Sequence, residues 1–277
     1  MLDHRPGRPK MQLDISELSM AAIVRGKDEY IEKSAADMNR HLDAAQWSAR
    51  QKLALACRIL AAEEHGSALA GQLTTRGDRP DTYWTMRFGL GLDEISADNL
   101  LLVDDDLRVL EGDGMPNPSN RFHLWIYRQR PEVGSIIHTH PPYTSALSMI
   151  GEPLAVAHMD TAVFWEDCAF LPEWPGVPIG DEEGRIISGV LGTKRAALLA
   201  HHGLVTACGT VEEASMLALF LERAARLQLL ARAAGTIKKI GVTEAREAHD
   251  YRLRASIIGA TFCYYARRAL KHDTDIV

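Results

Sequence analysis

The sequence predicts an α/β fold, because segments with helical periodicity alternate with short apolar runs. Between Ala44 and His65, apolar residues recur at the spacing that places them on one face of a helix, with charged residues between them. A second, longer apolar face follows Thr210. Between these two helices lie the predicted strands, Leu100–Val103, Val133–Ile137 and Ala196–Ala200.

The domain organisation is predicted from composition. Residues 1–18 are rich in proline, glycine and charge and are expected to form a flexible N-terminal arm. Residues 19–277 are expected to form a single domain with a C-terminal helical extension. This extension corresponds to a third predicted helix, from about Thr243 to Leu270, which ends in basic residues.

The second helix has the clearest start and stop signals. Thr210 and Glu213 have the spacing of a capping box, in which each side chain accepts a hydrogen bond from the backbone N–H of the other residue. Gly235 is a suitable end. The apolar face between them is formed by Leu217, Leu219, Phe220, Ala224, Leu227 and Leu230.

Charge and hydropathy exclude several classes of protein. The 277 residues include 31 Lys and Arg and 37 Asp and Glu, giving a net charge of −6. This balance argues against nucleic acid as a partner, because binding to phosphates needs a basic face. No apolar run approaches the ~20 residues of a membrane span. The N-terminus has no apolar segment of a secretory signal, so a cytoplasmic location is expected.

The four cysteines are far apart, without a C-x-x-C motif. This spacing is typical neither of a disulfide framework nor of a thiolate zinc site. Free thiols in a reducing compartment are expected at Cys57, Cys168, Cys208 and Cys263.

Histidines mark the ends of two predicted strands. His138 and His140 are two positions apart, so along a strand both side chains point to the same face and can reach one metal ion. The prolines that follow end the strand. The run Leu198–Ala200 leads into His201 and His202, of which alternation allows only one to face the site easily.

A third histidine motif is His158-Met159-Asp160. Asp160 is a possible ligand, a residue that orients a histidine, or a turn residue, and the last two interpretations are favoured. A single H-x-H pair is also compatible with histidines that are hydrogen-bonded in a core. Two histidine clusters at strand ends in one domain favour a metal site.

The combination of Arg121-Phe122-His123, His138-Thr139-His140 and His201-His202-Gly203 resembles the class II aldolase/adducin superfamily over residues 45–235. The resemblance implies an α/β/α sandwich around a mostly antiparallel sheet. It implies a divalent metal ion bound by His138, His140 and His202. It also implies a homotetramer with active sites between subunits.

The aldolase residues themselves are replaced. By alignment with the H-x-H pair, the aldolase acid/base falls on Ser119, and the tyrosine that protonates the leaving group falls on Met159. Serine cannot act as the acid/base at neutral pH without a partner. The phosphate-binding positions fall on Gln72, Phe88, Asn117 and Pro118. Sugar phosphates are therefore not expected to be substrates.

An aromatic carboxylic acid is the expected substrate class. Nearby aromatic and apolar side chains suit an aromatic ligand, and guanidinium groups match a carboxylate. The predicted substrate-binding residues are Trp84, Arg87, Phe88, Arg121, Met159 and Trp165. Beyond the metal ligands, the candidates for a catalytic role are Ser119, His158 and Asp160.

Overall likeness is greatest to the superfamily branch that contains the oxygenases of clorobiocin and novobiocin biosynthesis. This likeness implies a non-haem Fe(II) enzyme that uses dioxygen to convert a prenylated 4-hydroxyphenylpyruvate, through a mandelate, to a prenylated 4-hydroxybenzoate. Three histidines differ from the usual two-histidine, one-carboxylate iron site, so Zn, Mn and Co stay open.

Two other functions are compatible with the residues. One is a metal-dependent decarboxylase or retro-aldolase acting on a non-phosphorylated acid, with the metal as Lewis acid. The other is a non-enzymatic assembly module like adducin. Metal binding separates the module from both enzymes, and oxygen dependence separates the two enzymes from each other.

Overall fold

A computed structural model of the chain describes residues 26–42, 44 and 46–277. The predicted N-terminal arm, residues 1–18, lies outside them. The helices are α1 Lys27–His41, α2 Ala49–Ala62, α3 Arg121–Gln129, α4 Pro142–Met149, α5 Asp181–Leu191, α6 Val211–Ala234, α7 Val242–Arg252 and α8 Ala255–His272. The strands are β1 Gln72–Arg76, β2 Thr82–Thr85, β3 Leu101–Asp104, β4 Val109–Glu111, β5 Ser135–Thr139, β6 Cys168–Leu171, β7 Ala196–Leu199 and β8 Gly203–Cys208.

Helix α1 belongs to a separate compact unit from residues 42–277, which form the other unit. The predicted single domain over residues 19–277 stays a prediction. In the part of the chain that the structure describes, no helix combines the length and apolarity needed to cross a bilayer.

The eight strands form one sheet in the order β4-β3-β2-β1-β5-β8-β7-β6. Every neighbouring pair is antiparallel except β6 and β7, which are parallel. The predicted mostly antiparallel α/β fold is confirmed. Strands β5 and β8 are neighbouring interior strands, so the backbone at their ends is held by strand pairing on both sides.

Helices cover both faces of the sheet. The alternation of β5 shows the two layers: Ile137 packs in the cluster that includes residues of α2, α6 and α8, whereas Ile136 packs against residues of α3 and α5. His138 therefore points to the α3 side, as Ile136 does, and Thr139 to the α2 side, as Ile137 does. This alternation decides which side chains of β5 reach the candidate site.

Helix α2 is shorter than the predicted segment 44–65. It begins after Ser48, whose side chain accepts from the N–H of Gln51 while the Gln51 side chain accepts from the N–H of Ser48. Helix α6 begins after Thr210 as predicted, and Thr210 Oγ1 accepts from the N–H of Glu213. The other half of the predicted capping box is wrong, because the carboxylate of Glu213 accepts from Arg195 instead, at 2.9 Å.

The predicted third helix, 243–270, is two helices. Leu253 ends α7, and Arg254 has extended backbone angles before α8 begins. The two helices pack on different neighbours: α7 lies against the short 3₁₀ turn Ala162–Phe164, and α8 against α2 and α6. One straight helix cannot serve both surfaces, so the chain changes direction without a proline or glycine at the break.

The strand predictions hold with shifts at the ends. Leu100–Val103 and Ala196–Ala200 correspond to β3 and β7, and Val133–Ile137 begins two residues before β5. Strands β1, β2, β4, β6 and β8 were not predicted from the sequence. In the described part of the chain, no disulfide joins any of the four cysteines, as expected.

Candidate metal centre

Histidines at the end of β5 and in the turn before β8 come together. His138 and His140 lie at the end of β5, and His202 lies in the turn between β7 and β8. One ring nitrogen from each lies within 4.8 Å of the others, and the ring centroids are 4.6–4.7 Å apart. Three imidazoles in a triangle are a donor set that fits a single divalent ion.

The turn between β7 and β8 decides which of its two histidines joins the group. His201 has a left-handed backbone with φ of 57° and an exposed side chain. The side chain of His202 is half-buried and belongs to the cluster. The reversal of the chain within this turn therefore separates two adjacent residues of the same type.

His138 is held in a defined tautomer. Its Nδ1 lies 2.7 Å from the carbonyl oxygen of Leu204 on the neighbouring strand. A carbonyl can only accept, so Nδ1 carries the proton and Nε2 presents its lone pair to the cluster. A ligand histidine usually donates its other ring N–H in this way. His138 Nε2 lies 2.9 Å from His140 Nε2.

The cluster favours uncharged imidazoles. Burial lowers the pKa of His138 well below its ordinary value, and positive charge on His202 and His140 would lower it further. Burial also lowers the pKa of His140, and burial with the neighbouring His140 lowers the pKa of His202 to about 4. The neutral imidazole is the form that binds metals, so the rings are ready for a cation at neutral pH.

Two contacts around β5 were not evident from sequence. The hydroxyl of Thr139 lies 2.8 Å from Nδ1 of His65, a fully buried residue that follows α2. On the other side, a Cβ added to Gly203 would lie 2.5 Å from the carbonyl oxygen of Thr139 and 2.6 Å from Cδ2 of His140. Only glycine fits this close approach.

Two of the predicted substrate residues line one small cavity. Arg87 and Phe88 face it together with Gln72, Asn117 and Asn120. Phe88 is 39% exposed, so part of its ring is open to contact with a ligand. Three of the four positions that the resemblance assigns to phosphate binding, Gln72, Phe88 and Asn117, therefore line this cavity, and Pro118 is not among its lining residues.

The amide of Asn120 is oriented by its neighbours. The hydroxyl of Thr85 donates to the carbonyl of Leu73, so it accepts from Nδ2 of Asn120, at 2.9 Å. Oδ1 of Asn120 is then left buried, and it has no partner among the described residues. Asn120 thus holds a buried, unpaired acceptor beside the cavity that it lines.

Trp84 and Trp165 pack against other protein groups. Trp84 is 8% exposed in the core, and the guanidinium of Arg50 lies 4.6 Å from its ring. Trp165 lies between Arg246, at 4.8 Å, and the ring of His249, at 6.1 Å. Their predicted contact with substrate stays a prediction.

The 158–160 segment is fixed by ion pairs. Asp160 accepts from Arg223 at 2.8 Å and from Arg252 at 2.6 Å, and these contacts hold its pKa below the usual value despite partial burial. His158 and Met159 are exposed. Within the described residues, Asp160 and His158 are not in the group of converging ligand atoms.

Ser119 and Arg121 lie where a 3₁₀ turn leads into α3. The turn spans Pro118–Asn120, and the N–H of Ser119 donates to Oδ1 of Asn117 at 2.9 Å. Arg121 is the half-buried first residue of α3. The roles predicted for both residues stay predictions.

A family model described as "Class II Aldolase and Adducin N-terminal domain" matches residues 51–229. The chain is 33% identical over 181 residues to the protein named decarboxylase NovR from Streptomyces niveus, covering 64% of this chain and 67% of that protein. It is 32% identical to a 4-hydroxy-3-prenylphenylpyruvate oxygenase/4-hydroxy-3-prenylbenzoate synthase from Streptomyces roseochromogenus subsp. oscitans, covering 64% of this chain and 65% of that protein. The chain therefore spans about two thirds of the length of these relatives.

Among solved structures, an L-fuculose 1-phosphate aldolase from Glaciozyma antarctica PI12 superimposes with a TM-score of 0.77 at 28% identity. The match covers 88% of this chain and 98% of that one.

Proposed function

Because the chain belongs to the class II aldolase and adducin N-terminal domain family, we propose that it is a metal-dependent enzyme that oxidatively decarboxylates an aromatic 2-oxo or 2-hydroxy acid. The observation that carries the proposal is the triangle of three uncharged histidines. Three protein ligands leave positions for a chelating acid and a second small molecule. The name of the Streptomyces roseochromogenus relative supports this substrate class and an oxygenase, and the name of the Streptomyces niveus relative supports decarboxylation.

His138, His140 and His202 would hold the ion, which we propose to be Fe(II). When bound, it would supply positions for the acid end of the substrate and for dioxygen chemistry. His138 keeps its Nε2 aimed at the ion because its Nδ1–H is held by Leu204. Burial keeps all three rings uncharged, so they do not repel the cation.

The protein residues beyond the ligands would bind the acid rather than transfer protons. Arg87 and Arg121 are proposed partners of the substrate carboxylate, and Phe88 of its ring. The position of the aldolase acid is Ser119, and its N–H is already bonded to Asn117. An oxidative decarboxylation does not need a strong protein acid there, because the bond to the carboxyl carbon breaks as the neighbouring carbon is oxidised.

The atoms of the proposed reaction balance. A 2-oxo acid and one dioxygen give the shorter 2-hydroxy acid and one carbon dioxide. The arylglycolic acid formed and a second dioxygen give the aryl carboxylic acid, carbon dioxide and water. Each step therefore consumes dioxygen and releases carbon dioxide in equal amounts.

The test is oxygen dependence. Protein reconstituted with Fe(II) under nitrogen is mixed with 4-hydroxyphenylpyruvate or 4-hydroxymandelate, with and without a 3-prenyl group, and then exposed to air. We expect binding without turnover before air, and equimolar dioxygen uptake and carbon dioxide release after it. Turnover without oxygen would overturn the oxygenase.

A decarboxylase or retro-aldolase is the second candidate, favoured by the name of the Streptomyces niveus relative. It would release carbon dioxide or an aldehyde under nitrogen, and Zn, Mn or Co would support it. Carefully reconstituted protein that holds no metal would contradict both enzymes and favour an assembly module.

Sugar phosphates are proposed not to be substrates. Phe88 and Pro118 stand at two of the phosphate-binding positions and offer no side-chain donor, whereas a phosphate needs several, and Ser119 stands at the position of the aldolase acid. Assays with fuculose, rhamnulose and ribulose phosphates should show no metal-dependent cleavage. Rapid cleavage of any of them would contradict this assignment. The proposed homotetramer is tested separately, by sedimentation against the 30.6 kDa monomer.

A further inference from the structure

Helix α4 begins two residues after His140, and it has no capping side chain of its own. Pro141 occupies the N-cap and Pro142 the first helical position. A proline side chain cannot accept a hydrogen bond, so the free N–H groups of the first turn must find an acceptor elsewhere. The next two residues, Tyr143 and Thr144, carry these N–H groups.

The acceptor is a single carboxylate from α6. Glu222 Oε1 accepts from the N–H of Tyr143 at 2.8 Å, and Oε2 accepts from the N–H of Thr144 at 2.7 Å and from its hydroxyl at 2.6 Å. Glu222 is half-buried and Thr144 fully buried. A negative charge at this end of a helix is also favoured by the helix dipole.

These contacts bear directly on His140. Its backbone is the short link between Thr139, the last residue of β5, and the first turn of α4. Pairing with β8 fixes the end of β5. The position of α4 therefore decides how far the backbone of His140 can still move. No side-chain contact of Glu222 with the His140 ring is involved.

We propose that Glu222 is a positioning residue of the metal centre: by binding the first turn of α4, it fixes the backbone of His140 and hence the direction of its ring. The proposal rests on the proposed metal site. It does not depend on whether the reaction uses oxygen. A carboxylate that merely stabilised α4 would change the melting temperature without changing the metal centre.

The experiment compares Glu222→Gln with Glu212→Gln. The glutamine at 222 keeps the size of the side chain but presents an NH₂ group to one of the two N–H donors. Glu212 lies on the same helix and pairs with Lys52 at 2.6 Å, so its substitution removes an ion pair of α6 that does not involve α4. Thr144→Val removes only the hydroxyl contact with Glu222, and it replaces Glu222→Gln as the test variant if that protein does not fold.

Binding of Co(II) is followed by titration and by its visible absorption spectrum. We expect Glu222→Gln to weaken Co(II) binding about 10- to 100-fold and to change the spectrum, as substitutions behind metal ligands do. Thr144→Val should cause the same change to a smaller extent. Glu212→Gln should match the wild type. Wild-type affinity and spectrum in Glu222→Gln, with or without a lower melting temperature, would overturn the proposal.

A second measurement uses the metal-free protein. The NMR signals of the His140 ring should shift in Glu222→Gln and stay in place in Glu212→Gln. If the wild type binds no Co(II), the proposed metal site fails, and a shift of the His140 signals in Glu222→Gln then shows only that Glu222 positions the His140 ring. Unchanged His140 signals overturn the role of Glu222 whatever the metal result.

Discussion

One histidine lies near each end of strand β7, and the two have opposite electrostatic environments. After its last residue the chain reaches His202, in the cluster of uncharged imidazoles. Before its first residue lies Arg195, which pairs with Asp167 at 2.6 Å. Asp167 also lies 3.3 Å from Nε2 of His249, whose Nδ1 lies 2.8 Å from Asp250.

The pKa values shift in opposite directions at these two ends. Hydrogen bonds to Asp167, with a further one to Asp250, raise the pKa of His249 despite partial burial. Burial without an acidic partner lowers the pKa of His202 to about 4. The first environment suits an imidazolium in an ion-pair network, and the second suits a neutral metal ligand. The difference depends on whether a carboxylate is present, because both histidines are partly shielded from water.

The network around His249 also explains two departures from the sequence prediction. The guanidinium of Arg195 lies 2.9 Å from the carboxylate of Glu213, so this carboxylate does not complete the capping box of α6. His249 lies on α7, so its bonds to Asp167 fix α7 against the edge of the sheet while α8 packs elsewhere. Ion pairing therefore organises this end of β7 in the way that we propose a metal ion organises the other end.

The largest effect is expected from removing a ligand. His140→Ala should weaken Co(II) or Fe(II) binding by more than about 100-fold, since it removes a ligand and not merely a residue behind one. Metal content and titration calorimetry measure the loss, and circular dichroism tests that the fold persists. His158→Ala is the control, because His158 is exposed and outside the cluster. Equal metal loss in both variants would contradict the assignment.

The next effect is expected at Gly203, where the strands approach closely. Gly203→Ala places a Cβ 2.5 Å from the Thr139 carbonyl oxygen, so the backbone must shift. We expect a loss of about 2 kcal/mol in the free energy of unfolding, as for an overpacked core, together with weaker metal binding. Gly259→Ala is the matched control, since nothing lies within 4 Å of its new Cβ. It should change stability by at most about 1 kcal/mol, in the stabilising direction.

At the other end of β7, the ion-pair network is broken by Asp167→Asn. The substitution leaves Arg195 and His249 without their shared charge, and we expect a loss of about 2 kcal/mol in the free energy of unfolding. Urea denaturation measures it. Metal affinity should equal that of the wild type. A drop in metal affinity as large as that of His140→Ala would show that the two ends of β7 are not independent.

The smallest effect is a pair of opposite pH dependences. The pKa of His249 is raised above 6.5, so its contribution to stability is complete below pH 6.5 and is lost as pH rises through the folded-state pKa. The pKa of His202 is lowered, so its contribution is complete above pH 6.5 and is lost as pH falls toward about 4.

Urea midpoints of metal-free wild type, His249→Gln and His202→Gln across this range test the signs. The amount by which the urea midpoint of the wild type exceeds that of His249→Gln should decrease as pH rises. The amount by which it exceeds that of His202→Gln should decrease as pH falls. The same sign of change in both comparisons would refute the electrostatic contrast.

Sequence alone determined those parts of the molecule that depend on neighbours within a few residues. The strand alternation of His138 and His140, the prolines that end β5 and the cap at Thr210 all follow from local periodicity and hydrogen bonding. The family resemblance then added the histidine from the second turn. These signals were sufficient for the α/β class and for the three candidate ligands.

Only the tertiary structure decided contacts between residues that are distant along the chain. Nothing near Glu222 indicates that its carboxylate binds the start of α4, 78 and 79 residues away. Similarly, no proline or glycine marks the break at Leu253, because it results from two helices packing on different surfaces. Such contacts depend on sheet register and helix packing, which bring together side chains whose local sequences carry no record of each other.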